Sequence, residues 1–274
     1  MVGQSRWTKY AAHAVLSLAS AVILLPLLWV LRTSFADKVI AYKIPPDLFF
    51  TPTLDNYREI LLRFNFASFF VNSLLIALAT TAIAIAIGAC AAYVIERFRA
   101  GGAVAPIAIL ATQMMPPIVL VIPFFLIFKE MALTDTHAGL IISYLTFNLP
   151  YVVWILVSFF KRVPRELDEA GLIDGCTTFG VFLRIVVPSA LPGIGAAAVL
   201  SFVLCWNEFL FALMLTGKNS QTLPVAISSL VTQQGTAIGA VCAATMLAIT
   251  PMVILYFAIR NLLIAGLSLG AVKG

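Results

Sequence analysis

Eight charged side chains, Lys161, Arg162, Arg165, Glu166, Asp168, Glu169, Asp174 and Arg184, fall in one stretch between Lys161 and Gly193 of a chain that is otherwise poor in charge. The chemistry open to them is ion pairing, since no nucleophile, base and orienting group stand together in the pattern. The segment reads KRVPRELDEAGLIDGCTTFGVFLRIVVPSALPG. Pro164 opens a short helical run in which Leu167, Ala170 and Gly171 fall toward one side at helical spacing, with Glu166 and Glu169 toward another. Gly175 ends that run, and a second, apolar helix follows. A bent connector of this length suits docking better than passive linkage. Its small residues permit close approach, and its acidic residues can meet basic ones.

One other carboxylate stands out. Glu208, in Trp206-Asn207-Glu208, is the only acidic residue of a long apolar segment, where burial in lipid is expensive. Glu208 and Asn207, with Gln113 and Asn148 in other apolar runs, are candidates for a solute path or gate; for Glu208 a bond to a neighbouring helix near the outer end of its span is an equal alternative. For Gln113, Asn148 and the prolines beside them, helix packing or gating flexibility is favoured over direct solute recognition. Metal chemistry has no support: His13 and His137 lack ligand-spaced companions, and Cys90, Cys176, Cys205 and Cys242 show no CxxC spacing and read as buried small hydrophobes. The phosphate-cradling pattern GxxxxGK[ST] is absent, so the chain holds neither ATP nor its magnesium itself.

The elements that carry these residues are membrane spans. The 274 residues are 62% hydrophobic and 11% charged, with a mean hydropathy of +1.04, which is far too apolar for a soluble domain. Six apolar runs follow, at about 11–31, 68–94, 103–128, 138–160, 191–215 and 236–259. The first is too long for a signal peptide and lacks a small-residue cleavage site. The third is interrupted at Gln113 to Pro117 and Pro123 and should bend. The fourth has a kink site at Asn148-Leu149-Pro150, and the sixth at Pro251. The Arg32 to Ala67 stretch reads as an outer loop with turns and a short helix near Leu54 to Leu62. The Thr216 to Gly235 stretch is another outer segment, with a short re-entrant or interfacial piece from Leu223 to Leu230.

Basic residues set the orientation. With both termini in the cytoplasm, Arg6, Lys9, Arg97, Arg99, Lys161, Arg162, Arg165, Arg184, Arg260 and Lys273 lie inside, ten of the 17 Lys and Arg. The other seven lie outside. The bias puts the 161–193 connector in the cytoplasm, and the scatter of positive charge over several loops excludes a nucleic-acid surface.

Glu169-Ala170-Gly171, Gly175, Ile185 and Val187-Pro188 resemble the EAA loop of ABC-importer permeases, with Gly171 where alanine and Val187 where leucine is usual. Glycine at 171 should loosen the first loop helix by up to roughly 1 kcal/mol. Asn72-Ser73-Leu74, Trp206-Asn207-Glu208-Phe209, Thr222-Leu223-Pro224-Val225 and the closing AGLSLGAVKG extend the likeness over nearly the whole chain. Together they resemble the smaller, six-helix permease subunit of carbohydrate importers of the maltose type.

That resemblance implies an all-α integral membrane fold of six spans with kinked core helices and a cytoplasmic helix-turn-helix. The chain would form one permease domain over 1–274, without catalytic, cofactor-binding or metal residues, in a bacterial or archaeal cytoplasmic membrane. Glu166, Glu169, Ala170, Gly171, Asp174 and Gly175 would dock onto ATP-binding subunits, Glu169 meeting a basic residue and Gly175 allowing the turn. Partners would be a second, distinct permease, two ATP-binding subunits carrying ATP and magnesium, and an extracytoplasmic solute-binding protein. A secondary transporter driven by an ion gradient, with Glu208 as its coupling site, is the alternative.

Overall fold

The computed structural model describes residues 6–102, 104–232 and 235–271, without the side chains of 6–8, 106, 110, 232, 235–236, 258–259 and 261–271. The side chains of Arg6, Gln233, Gln234, Lys273 and the closing 265–274 stretch therefore lie outside the described residues.

In chain order the helices are α1 (Arg6–Ser34), α2 (Lys38–Ala41), α3 (Asp55–Arg63), α4 (Phe66–Phe98), α5 (Val104–Gln113), α6 (Pro117–Glu130), α7 (His137–Phe160) and α8 (Glu166–Ile173). α9 (Thr178–Val181) runs through a π-helical turn at Phe182–Val186 into α10 (Val187–Ser189). α11 (Leu191–Trp206), α12 (Leu210–Leu215), α13 (Leu223–Ser228), the two-residue strands β1 (Val231–Thr232) and β2 (Gly235–Thr236), and α14 (Ile238–Ala271) complete the chain. Among the described residues, four continuous stretches, Lys9–Ser34, Phe66–Phe98, His137–Phe160 and Ile238–Phe257, are long and apolar enough to cross a membrane. Two bent helix pairs, Ile107–Gln113 with Pro117–Glu130 and Thr178–Ser189 with Leu191–Trp206, bring the number up to six if each pair is one span. The chain is thus a multi-pass membrane protein.

The bend in the third span falls where it was expected. α5 and α6 meet at 82°, and Pro116 takes an extended ψ of 128° before Pro117 opens α6. A proline disfavours helical geometry in the residue before it, so a Pro-Pro pair ends one helix and starts the next. α7 and α14, by contrast, run through Pro150 and Pro251 as continuous helices.

The fifth span departs from expectation. α11 ends at Trp206 and α12 restarts at Leu210, so Asn207, Glu208 and Phe209 form a break inside the apolar run. At 16 residues α11 is about 24 Å long, short of the ~30 Å hydrocarbon core.

One compact unit comprises Met1–Ala67 and Ile227–Thr250. In it, buried Asn56 of α3 donates to the carbonyls of Ser34 (3.0 Å) and Ala36 (2.7 Å), satisfying backbone groups that the end of α1 leaves open. The second unit comprises Ser68–Ala226 and Pro251–Gly274. Its core joins Ala84, Ala92 and Tyr93 of α4, Val152, Leu156 and Phe160 of α7, Val181, Phe182 and Val186 of the connector, and Ala197 of α11. The small residues of α4 let larger side chains of α7 fill the seam.

The four cysteines are free thiols; Cys205 is buried, but Cys90 is exposed on α4. Composition could not separate these cases, because the lipid side of such a helix is as apolar as its packed side.

Candidate functional site

The connector between α7 and α11 is built on a buried ion pair. Arg97, in the last turn of α4, meets Asp168 of α8 with Nε 2.8 Å from Oδ2, and the two side chains are only 6% and 13% exposed. The Arg97 Nη2 group donates to Asp168 Oδ1 (3.2 Å) and to the Val163 carbonyl (2.9 Å), and the Tyr93 hydroxyl donates to Asp168 Oδ2 (3.4 Å). A second pair, Arg165 with Glu96 at 3.6 Å, is half exposed on the arginine side and contributes little beside it.

This anchor sets the rotation of α8. Asp168 and Gly171, three residues apart, face inward, and a Cβ at Gly171 would lie 2.4 Å from Ile185 Cδ1 and 3.0 Å from Val181 Cγ2. Glu166, Glu169, Ala170 and Ile173, spaced at i, i+3, i+4 and i+7, form the opposite, exposed face. Ala170 and Gly171 therefore do not share a side as the helical spacing suggested. Ala170 stands outward with the two glutamates, and Gly171 is where the two arms of the connector touch. Glu166, Asp168 and Glu169 also lie in the first turn of α8, where negative charge suits the helix dipole.

The turn is a Schellman motif. Gly175 N donates to the Leu172 carbonyl (3.1 Å), Cys176 N donates to the Gly171 carbonyl (3.0 Å), and Gly175 has a φ of +84°. Asp174 is the exposed C-cap residue before it. The Thr177 hydroxyl then accepts from Gly180 N (3.1 Å) and starts the second arm. A Cβ at Gly175 would meet no atom within 4 Å, so Gly175→Ala is expected to cost only the left-handed backbone penalty, about 1–2 kcal/mol. Limited proteolysis of the connector should show faster cleavage in Gly175→Ala than in Gly175→Asn, since asparagine tolerates that conformation. Equal rates would mean that the turn does not hold its φ.

Of the path candidates, Asn148 and Glu208 both neighbour Cys205, whereas Gln113 and Asn207 bond to separate backbone carbonyls. Gln113 Nε2 donates to the Phe147 carbonyl (2.8 Å), pinning the end of α5 beside α7. Asn148 is fully buried and donates to the Ser201 carbonyl (3.2 Å) and Cys205 Sγ (2.7 Å), so its amide joins α7 to α11. Asn207 is exposed and bonds back to the Val203 carbonyl (2.8 Å). Glu208 caps α12: Oε1 accepts from Phe211 N (2.9 Å) and Oε2 from Ala212 N (3.1 Å), two donors that the first turn of a helix leaves open. The carboxylate whose burial in lipid is costly is thus matched by the N–H groups of the helix that restarts beside it.

Arg97, Tyr93 and Asp168 escaped the sequence reading as a unit. Arg97 counted only toward topology, although an arginine in the last turn of a span and an acid in the facing loop helix are a pairing signal.

Residues 84–268 match the family described as binding-protein-dependent transport system inner membrane component. The trehalose transport system permease protein SugB of Mycobacterium tuberculosis is 38% identical over 279 aligned residues, covering all of both chains. The probable ABC transporter permease protein y4oR of Sinorhizobium fredii is 35% identical across 92% of this chain and 91% of its own. The trehalose/maltose transport system permease protein MalG of Thermococcus litoralis is 32% identical, with 94% of each covered. In three dimensions the chain matches a crystal structure of a bacterial ABC transporter involved in the import of the acidic polysaccharide alginate, with a TM-score of 0.76 and 18% identity over 95% of this chain and 98% of that one. A predominantly helical, multi-pass fold, matched over most of its length, thus meets relatives that align end to end, and the chain belongs to the family of inner-membrane components of binding-protein-dependent transport systems, the non-catalytic transmembrane subunits of ABC importers.

Proposed function

We propose that the chain forms half of the membrane path for a sugar or a related polar solute and takes its power from separate ATP-binding subunits through residues 161–193. The observation that carries this reading is the exposed α8 face of Glu166, Glu169, Ala170 and Ile173, held from behind by the Arg97–Asp168 pair. Ile173 is 85% exposed and Leu172 50%, so an apolar ridge flanked by carboxylates is left for a partner with a basic cleft. Among the described residues, Glu166, Glu169 and Asp174 form no ion pair within the chain, so their charge is available to that partner.

The assembly is one such chain, a second and distinct permease, two ATP-binding subunits that hold ATP and magnesium, and a solute-binding protein at the outer face. Both termini and the 161–193 connector lie in the cytoplasm, as the distribution of Lys and Arg favours. When the ATP-binding subunits close, they move α8, and the buried ion pair passes that movement to α4. Two discrete states biased from both ends are what coupling requires. The sugar class is supported by the relatives named for trehalose and for trehalose/maltose transport. An ion-gradient mechanism through Glu208 gains nothing from the geometry, because both carboxylate oxygens already accept backbone N–H groups.

Reversing one charge tests the reading. Glu169→Lys faces away from the fold and is expected to leave the chain in the membrane while removing a central partner contact. A loss of about 2 kcal/mol corresponds to roughly thirtyfold weaker co-purification with the ATP-binding subunits. Undiminished co-purification and undiminished ATP-dependent sugar uptake would sink the docking role.

A further inference from the structure

Asp135 sits between α6 and α7 with a positive φ of 56°, a conformation that aspartate adopts more readily than most residues. Its backbone N–H donates to the Leu215 carbonyl (2.8 Å) at the end of α12. Its carboxylate then gathers the turn that follows. Oδ1 accepts from Gly217 N (2.8 Å), Asn219 N (3.1 Å), Ser220 N (3.0 Å) and Ser220 Oγ (2.8 Å), while Oδ2 accepts from Asn219 Nδ2 (2.9 Å) and Asn219 N (3.2 Å). Burial pushes the Asp135 carboxyl up, but the bonds from Gly217, Ser220 and Asn219 outweigh it and hold the group below the usual carboxylate range.

A second attachment lies beside the first. Asn72 Nδ2 donates to the carbonyls of Asn219 (3.1 Å) and Gln221 (3.0 Å), and the Ser73 hydroxyl accepts from Leu223 N (2.7 Å). His137 Nε2 bonds to Asn72 Oδ1 at 2.9 Å; because the amide nitrogen is already donating, this oxygen is the acceptor and the imidazole carries the proton. Ser220 and Thr222 are almost fully buried, whereas Gly217, Lys218 and Asn219 remain exposed at the tip. The sequence stretches Asn72-Ser73-Leu74 and Thr222-Leu223-Pro224-Val225, far apart in the chain, are thus two sides of one attachment.

We propose that Asp135 is a positioning residue that locks the 217–220 turn to the start of α7, so that the turn, tied also to Asn72 and Ser73, is carried as a rigid extension of α4 and α7 with Lys218 in a fixed place. A polar loop of this composition would otherwise move freely on the nanosecond scale. Asp135→Asn keeps the shape but removes the charge and one of the two acceptor oxygens, and its NH2 group presents two donors to the donors that this oxygen served. In the importer reading above, the rigid tip faces the arriving solute-binding protein, and this part of the inference rests on that reading.

The test uses the full chain in the assembled transporter, with a spin label at Lys218→Cys, Cys90, Cys176 and Cys242 replaced by alanine, and buried Cys205 kept. The label is expected to be immobilised in the parent and severalfold more mobile in Asp135→Asn, with helix content unchanged. A label equally immobile in both overturns the clamp. Ser220→Ala and Asn219→Ala each remove one side-chain donor and keep the carboxylate, so they should loosen the label by a smaller step. If Asp135→Asn fails to accumulate, a rigid label in both of these variants overturns the proposal. Loosening is also expected to raise the half-saturating concentration of solute-binding protein severalfold without changing basal ATP hydrolysis. A loosened label with unchanged half-saturation overturns the docking use of the tip and leaves the ATP-coupling role of 161–193 untouched.

Discussion

Arg97→Ala is expected to be among the most damaging single substitutions outside the partner-facing surface. It leaves the Asp168 carboxylate, 13% exposed, without its counter-ion and takes a donor from the Val163 carbonyl. Removing one partner of a buried pair costs about 3–5 kcal/mol, because the surviving charge keeps its desolvation and loses its compensation. The control is Arg165→Ala. Its pair with Glu96 is longer, 3.6 Å, and half exposed on the arginine side, so its loss should cost less than about 1 kcal/mol. The double variant Arg97→Ala with Asp168→Ala should recover part of the loss, since no buried charge is then left alone. Thermal unfolding in detergent and protease cleavage within 161–193 both read this series. If Arg97→Ala and Arg165→Ala behave alike, α8 is not anchored by a buried pair, and movement at α8 has no charged route to α4.

The six spans and the bend at Pro116-Pro117 could be read from the chain because their causes are local: a long apolar run in the first case, two adjacent rings in the second. The turn at Gly175 was readable for the same reason, since one residue's left-handed backbone ends the helix. What escaped the reading is non-local. Eight residues of α8 are too few for helical spacing to define a face, and the choice between Gly171-in and Ala170-in is made by Asp168 meeting Arg97, 71 residues away. The six carboxylate bonds of Asp135 span 82 to 85 residues, and nothing in the local sequence of either loop announces them.

Glu208 shows a subtler limit. The apolar run from Leu191 to Leu215 suggested one unbroken span, within which a carboxylate would either line the solute path or bond to a neighbouring helix. The helix instead stops at Trp206, and the free N–H groups of the restarted helix supply what the charge needs. A buried acid and a helix break compensate each other, so each is improbable alone and stable together.

Gly193→Ala separates helix propensity from packing at the place where the connector rejoins the membrane helices. Alanine favours the helix by about 1 kcal/mol over glycine. At Gly193, however, a Cβ would stand 2.3 Å from Phe159 Cγ, 2.4 Å from Cδ1 and 2.8 Å from Cβ. These are the root of the ring, which cannot swing aside as the tip of a flexible side chain can, and the Arg162 guanidinium lies over the same ring at 5.2 Å. Overpacking of this kind costs about 1–3 kcal/mol, so the net effect should be destabilising by up to about 2 kcal/mol. The comparison is Gly171→Ala, whose Cβ meets Ile185 Cδ1 at 2.4 Å, the movable end of a side chain, so the propensity gain should survive or nearly cancel. Thermal unfolding of the two variants should therefore move in different directions or by clearly different amounts. Because α7 enters the connector just after Phe159 and α11 leaves it just before Gly193, pushing them apart also changes the spacing of its two ends. Gly193→Ala should lower ATP-coupled uptake more than its stability loss explains, while Gly171→Ala should not. A Gly193→Ala chain as stable and as active as the parent would show that α7 and α11 do not cross this closely.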